Sequence, residues 1–206
     1  LISKISAARP VIADYPFTTL IPHLGVVDVG RDRTFIVADI PGLIAGAAMG
    51  KGRGKEVISV VRSADMIILL VDVWNEEHFD ILVRELADAG IRINREKPDI
   101  TIKKTAIGGV HVGSVGEIGM DDEEIRAIMA EYRLVNAHVL IRGGASQDDL
   151  IDTMLGNRVY VPALLAVNKV DLVDGATMRS MEEDLTGRFG ERPLMISAAS
   201  GYHMEE

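Results

Sequence analysis

Asn168, Lys169 and Asp171 close an apolar run, Val159-Tyr-Val-Pro-Ala-Leu-Leu-Ala-Val167. An N-K-x-D stretch at the C-terminal end of a buried strand suits recognition of guanine. The Asp171 carboxylate can accept from the ring N–H and the exocyclic amine of that base together. Adenine offers no such donor pair on that edge, and a site left with an unpaired acid discriminates strongly. Lys169 can lay its apolar stem along the base plane, and Asn168 can tie the loop to neighbouring backbone. The bland alternative is a surface turn, because N-K-x-D also recurs by chance.

Two further strand ends point the same way. Thr34-Phe-Ile-Val-Ala-Asp39-Ile-Pro-Gly42 ends in D-x-x-G. An Asp at such an edge holds Mg2+, usually through water, and the glycine lets a backbone N–H approach a terminal phosphate. Pro193-Leu-Met-Ile-Ser197-Ala198-Ala199 ends in S-A-x. There a backbone N–H, that of Ala198, can donate to the guanine carbonyl oxygen. Each motif is weak alone, but three of them in this order are unlike chance.

The elements that must position these ends follow from periodicity. Leu24–Val29 and Arg33–Ile40 flank Gly30-Arg-Asp-Arg33 as a hairpin. Asp65–Val73 reads as a continuous buried strand of parallel-sheet type. Glu76–Ala89 reads as an amphipathic helix stopped by Gly90. Val159–Val167 and Leu194–Ile196 supply later strands, and helices fall near Gly54–Ser63 and Gly175–Phe189. Strand–helix alternation predicts an α/β doubly wound sheet with ligands at its C-terminal edge.

The stretch from Asp39 to Asn168 is longer than two βα units of ~30 residues each require. The surplus reads as a small α+β module. Its expected elements are strands Asp99–Lys104, Gly108–Gly113 and Ala137–Arg142, and helices Asp121–Tyr132 and Gln147–Leu155. The expected organisation is 1–94 for the first part of the main domain, 95–157 for the insertion and 158–206 for the second part. The acidic run Asp121-Asp-Glu-Glu124 invites a metal or partner reading, but four acids at a helix start are better explained by the helix dipole.

Composition is that of an ordinary globular chain, 48% hydrophobic and 26% charged. There are no cysteines, so no disulfide or thiolate metal site is available. The five histidines, His23, His78, His111, His138 and His203, form no ligand-spaced cluster in the sequence. No apolar stretch reaches membrane-spanning length, and a cytoplasmic protein is expected. A net charge of −9 argues against broad, charge-driven binding of nucleic acid.

Tyr15-Pro-Phe-Thr-Thr-Leu20, Asp39-Ile-Pro-Gly-Leu-Ile44, Gly50-Lys-Gly-Arg-Gly54 and Gly156-Asn-Arg-Val-Tyr-Val-Pro162 together resemble the Obg-type translation GTPases. More narrowly they resemble the DRG branch, the developmentally regulated GTP-binding proteins of archaea and eukaryotes. The resemblance implies a P-loop-type GTPase sheet. It also implies an inserted domain like one from a small-subunit ribosomal protein, and work on the ribosome. No G-x-x-x-x-G-K-S/T loop occurs in these 206 residues. Leu1-Ile-Ser-Lys-Ile-Ser-Ala-Ala8 reads as the remaining turns of the helix that follows such a loop. The loop and the first strand are expected upstream of Leu1, with a nucleotide-free relative that has lost its loop as the alternative, and residues 1–206 alone are expected to bind GTP poorly.

Tyr15-Pro-Phe-Thr-Thr falls where GTPases keep a mobile loop. A threonine there can ligate Mg2+ while its N–H meets the γ-phosphate, and the resemblance favours Thr19 over Thr18; an ST-turn without function is the alternative. Leu43–Gly54 is rich in glycine and small residues, suited to an order–disorder change. Its basic end, Lys51, Arg53 and Lys55, is open to ribosomal RNA, to a regulatory protein, or to solvent alone. Leu43 stands where many GTPases carry a water-orienting glutamine. Unaided hydrolysis should be slow, and the resemblance implies potassium stimulation. Two functions stay open: a GTP-hydrolysing switch with Thr19 and Gly42 at the γ-phosphate, and a non-hydrolysing module that docks on the ribosome or a protein.

Overall fold

The computed structural model describes residues 1–6, 23–30, 32–40 and 54–204, with backbone only at 54–56. The chain forms two compact units, Leu1–Ile93 with Val161–Glu206, and Asn94–Tyr160.

In the first unit, helix α1 (Ile2–Ile5) is followed by strands β1 (His23–Asp28) and β2 (Thr34–Asp39). They pair antiparallel from His23↔Asp39 to Asp28↔Thr34. Gly30 turns the hairpin at φ 74°, and its N–H donates to Asp28 Oδ1 at 2.7 Å. Gly25 lets α1 approach β1, because a Cβ there would collide with Ser6 Oγ. Helix α2 (Gly54–Arg62), strand β3 (Ile67–Asp72), helix α3 (His78–Asp88) and the short strand β4 (Ile91–Ile93) follow. Arg62 Nη1 donates to the Ala89 carbonyl at 2.9 Å, tying α2 to the end of α3.

The second unit has strands β5 (Asp99–Lys104), β6 (Val110–Val115) and β7 (Ala137–Arg142), with helices α4 (Asp122–Glu131) and α5 (Gln147–Leu155). β7 is central, antiparallel to β5 and parallel to β6. Its core gathers Ile125, Met129, Val139, Ile141 and Leu150, with Ile100, Ile102, Val110 and Val112 packed against them. The alternation of these apolar residues with exposed Thr101, Lys103 and His111 is the period-2 pattern of a sheet covered on one face.

The acidic run of this unit makes a helix start. Asp121 accepts from the N–H groups of Glu123 and Glu124, and Glu124 accepts from the Asp121 N–H. Asp121→Ala should therefore lower the stability of the chain by about 1 kcal/mol. The expected signature is a lower urea midpoint with an unchanged slope. The Gly156-Asn-Arg158 stretch also has a structural part. Gly156 stops α5 in the left-handed conformation, and Arg158 Nε donates to buried Asp152 at 2.8 Å.

Strand β8 (Val159–Val161), strand β9 (Ala163–Asn168), a 3-10 turn at Val170–Leu172, helix α6 (Gly175–Phe189) and strand β10 (Leu194–Met195) complete the chain. The run Val159–Val167, expected as one strand, is broken at Pro162. Proline has no N–H for a ladder, although its carbonyl still accepts from the Ile67 N–H at 2.9 Å. β9 lies between β3 and β10 in an all-parallel sheet. Its Leu165 and Val167 are buried, with Leu69 and Val71 of β3 and Phe79, Leu86 and Leu185 of the helices. β3 departs from the expectation of burial on both faces: Ile68 and Leu70 are 40% and 41% exposed.

Arg188 joins α6 to α3. It pairs with Asp80 and Asp184, and its guanidinium lies 5.1 Å from the centre of the Phe79 ring. Among the described residues no helix is long and apolar enough to cross a membrane.

Candidate functional site

Three parallel strands deliver their C-terminal ends to one edge. The register pairs Asp72 at the end of β3 with Asn168 at the end of β9. Met195 of β10 lies beside Val167, so Ile196 and Ser197 continue along the same edge. Backbone bonds extend the sheet past its strands: Ile196 N–H to Val167 O at 2.8 Å, and Val170 N–H to Ile196 O at 3.3 Å. Such an edge is where open α/β sheets bind ligands.

Asn168 joins two of these ends. Its Oδ1 accepts the Ala198 N–H at 3.0 Å. The Ala198 N–H, assigned from the sequence to a guanine carbonyl oxygen, is thus donated within the protein here. Ser197 is fully buried, and it holds its own turn. Its N–H donates to the Tyr202 carbonyl at 3.0 Å, its carbonyl accepts from Gly201 at 2.9 Å, and its Oγ accepts from the Ser200 N–H at 3.1 Å. Ala199 is exposed on that turn. Asn168→Ala should release the Ala198 amide at a cost of about 1 kcal/mol. Hydrogen exchange at Ala198 should quicken several-fold while exchange in the β7 core stays unchanged. Equal protection of Ala198 in both proteins would show that the Asn168 side chain does not hold this turn.

Lys169 adopts the left-handed conformation, φ 67°, which a residue other than glycine takes uncommonly. This turn of the backbone starts the 3-10 segment that carries Asp171. Val170 anchors the segment by burial, and Asp171 is presented to solvent. The strand end thus presents an exposed carboxylate beside an Asn168 fixed by its bond from Ala198.

Asp72, not among the site residues expected from the sequence, is prominent at this edge. Its Oδ2 accepts from Lys169 Nζ at 2.8 Å. Its Oδ1 accepts from the Trp74 N–H at 3.0 Å and from Asn75 Nδ2 at 2.9 Å. Burial raises its affinity for a proton, but the bonds from Lys169, Trp74 and Asn75 together hold the carboxyl below its usual range. The signal was present in the sequence, since Asp72 follows an apolar run just as Asp39 and Asn168 do.

Asp39 ends β2, exposed, in a two-stranded sheet separate from the one that holds Asn168. Thr18, Thr19, Gly42, Leu43, Lys51 and Arg53 lie outside the described residues, and Lys55 falls in the first turn of α2.

A parallel sheet that presents Asn168, Lys169 and Asp171 in this way has the arrangement of an α/β P-loop GTPase domain. Residues 1–104 match the family described as 50S ribosome-binding GTPase, and residues 107–206 match the C-terminal region of the same domain. An uncharacterized GTP-binding protein of Methanocaldococcus jannaschii is 38% identical over 206 residues, covering 100% of this chain and 52% of its own length. Developmentally-regulated GTP-binding protein 2 of Homo sapiens is 37% identical over 202 residues, 97% of this chain and 53% of its own. The developmentally-regulated GTP-binding protein 1 homolog of Dictyostelium discoideum is 39% identical over 177 residues, 84% of this chain and 48% of its own. The chain belongs to the 50S ribosome-binding GTPase family, in the branch of the developmentally regulated GTP-binding proteins. It spans about half the length of these relatives.

Proposed function

We propose that the intact protein binds guanine nucleotides at this strand edge and hydrolyses GTP to GDP and phosphate as a molecular switch in translation. The observation that carries the reading is the Asn168–Ala198 tie, with Asp171 exposed beside it. Asp171 accepts from the guanine ring N–H and amine. The stem of Lys169 packs on the base, and the Ala199 N–H, next to the Ser197 and Ala198 groups already donated to Tyr202 and Asn168, would face the guanine carbonyl oxygen. The family description and the names of the relatives support the nucleotide and the ribosome as partners.

Asp39 is an exposed carboxylate at a strand end, a hard oxygen donor of the kind Mg2+ takes. Asp39 and Thr19 would hold the ion, which supplies neutralisation of charge on the phosphate oxygens. Thr19 and the Gly42 N–H would close on the γ-phosphate, placing it for in-line attack by water. Potassium stimulation, a regulatory protein partner and a cytoplasmic location belong to the same proposal, with residues 95–157 as a domain inserted into the GTPase fold. The apolar Leu43 favours a second reading, a docking module that binds GTP without hydrolysing it.

Displacement of fluorescent GDP from the full-length protein tests the nucleotide. GTP should compete at least ~100-fold better than ATP. Equal competition by ATP would remove the guanine reading. Single-turnover hydrolysis with and without ribosomes then separates the switch from the docking module.

A further inference from the structure

Lys169 is held at both ends. Its backbone is set by the left-handed turn at φ 67°. Its ammonium is set by Asp72 Oδ2 at 2.8 Å, across a separation of 97 residues in sequence. Asp72 is itself fixed, because the Trp74 N–H and the Asn75 amide occupy its other oxygen. The β3–β9 register brings the two strand ends side by side, so Asp72 reaches Lys169 from the strand next to Asn168.

We propose that Asp72 is the positioning residue of the guanine site: it pins the Lys169 ammonium so that the four-carbon stem is stretched across the strand end as a ready apolar ledge for the base. The inference rests on the nucleotide reading above. A free lysine stem would sample many rotamers, and that freedom would be lost when the nucleotide arrives. With Asp72 in place it is lost on folding instead. The ammonium is also neutralised by its partner, so Lys169 contributes chiefly through its stem. Asp72 therefore acts on the base side of the ligand, and it should affect GDP and GTP alike.

The test is a double-mutant cycle in the full-length protein, read by fluorescent GDP and GTP binding with thermal melting in parallel. Asp72→Asn keeps the shape and the contacts to Trp74 and Asn75 but removes the charge that holds Lys169. Lys169→Met keeps an apolar stem without the ammonium. Asp72→Asn should weaken GDP and GTP equally, by about tenfold, the cost of ordering one freed, rotamer-rich side chain on binding. In the Lys169→Met background the same substitution should cost no further affinity.

A ligand-free readout accompanies the cycle. Acylation of Lys169 by acetic anhydride, followed by mass spectrometry, should be several-fold faster in Asp72→Asn than in wild type. Unchanged acylation, wild-type affinity in Asp72→Asn, or a full tenfold loss on top of Lys169→Met would each overturn the inference. Affinity lost only for GTP would overturn it too, by moving Asp72 to the phosphate side. If the wild-type protein binds no guanine nucleotide, the nucleotide reading itself fails, whatever the acylation result, and this inference falls with it.

Discussion

Asp171→Asn should convert the intact protein from a guanine to a xanthine nucleotide binder. Guanine presents a ring N–H and an amine to the carboxylate, and both bonds are charge-assisted. Bonds of this kind contribute ~1.5–3 kcal/mol each; the asparagine oxygen still accepts from the ring N–H, but its amide NH2 faces the guanine amine, so losing that bond and the charge on the other weakens GTP binding by roughly 100-fold. Xanthine presents a carbonyl where guanine has the amine, and the asparagine amide can donate to it. The geometry makes the test clean. Asp171 is exposed on a turn anchored by Val170, so the change should leave the fold untouched. The Asn168–Ala198 bond does not involve it. Competition among GTP, XTP and ATP for the full-length variant gives the answer. An unchanged order of preference would take Asp171 out of base recognition, and the N-K-x-D stretch would then be a surface turn.

Thr19→Ala should lower single-turnover GTP hydrolysis by ~10–1,000-fold while leaving GDP affinity nearly intact. Removal of one preorganised contact to developing charge commonly has effects up to this size. On the proposed function, Thr19 and the Gly42 N–H would meet the γ-phosphate only in the GTP state, whereas Asn168 and Asp171 would meet the base in both. After hydrolysis the two phosphate contacts vanish and their segments relax. Hydrogen exchange over residues 15–55 of the full-length protein should therefore be slower with a non-hydrolysable GTP analogue than with GDP, and Thr19→Ala should shrink that difference. Leu43→Gln alone should not restore fast turnover. Identical exchange in the two nucleotide states would sink the switch and favour the docking module.

Much of the chain was legible as local pattern. Helix α6 and strands β5 and β7 begin and end where apolar periodicity, Gly190 and the turn residues place them. The capping box at Asp121–Glu124 is readable from four letters, because its bonds join residues two and three apart. The three strand-end motifs were legible for the same reason: an apolar run followed by polar residues marks the end of a buried strand wherever that strand lies in space.

Contacts between distant segments carry no such local trace. The sequence could not say that Asp72 stands beside Asn168, since that depends on the register of β3 against β9. The Asn168–Ala198 bond spans 30 residues and the Lys169–Asp72 pair 97, and neither separation leaves a periodic signal. The break at Pro162 was masked by the apolar residues on both sides, and it mattered only where a partner strand asked for an N–H. The three-residue strand β4 is too short for any period to register. Likewise, the antiparallel β5–β7 and parallel β6–β7 pairings were decided by which arrangement buries Ile125, Met129, Val139 and Leu150 together. The sequence alone determined which residues could do chemistry and which segments would carry them. Tertiary structure alone decided which of those residues meet, because burial and strand register are satisfied by the chain as a whole.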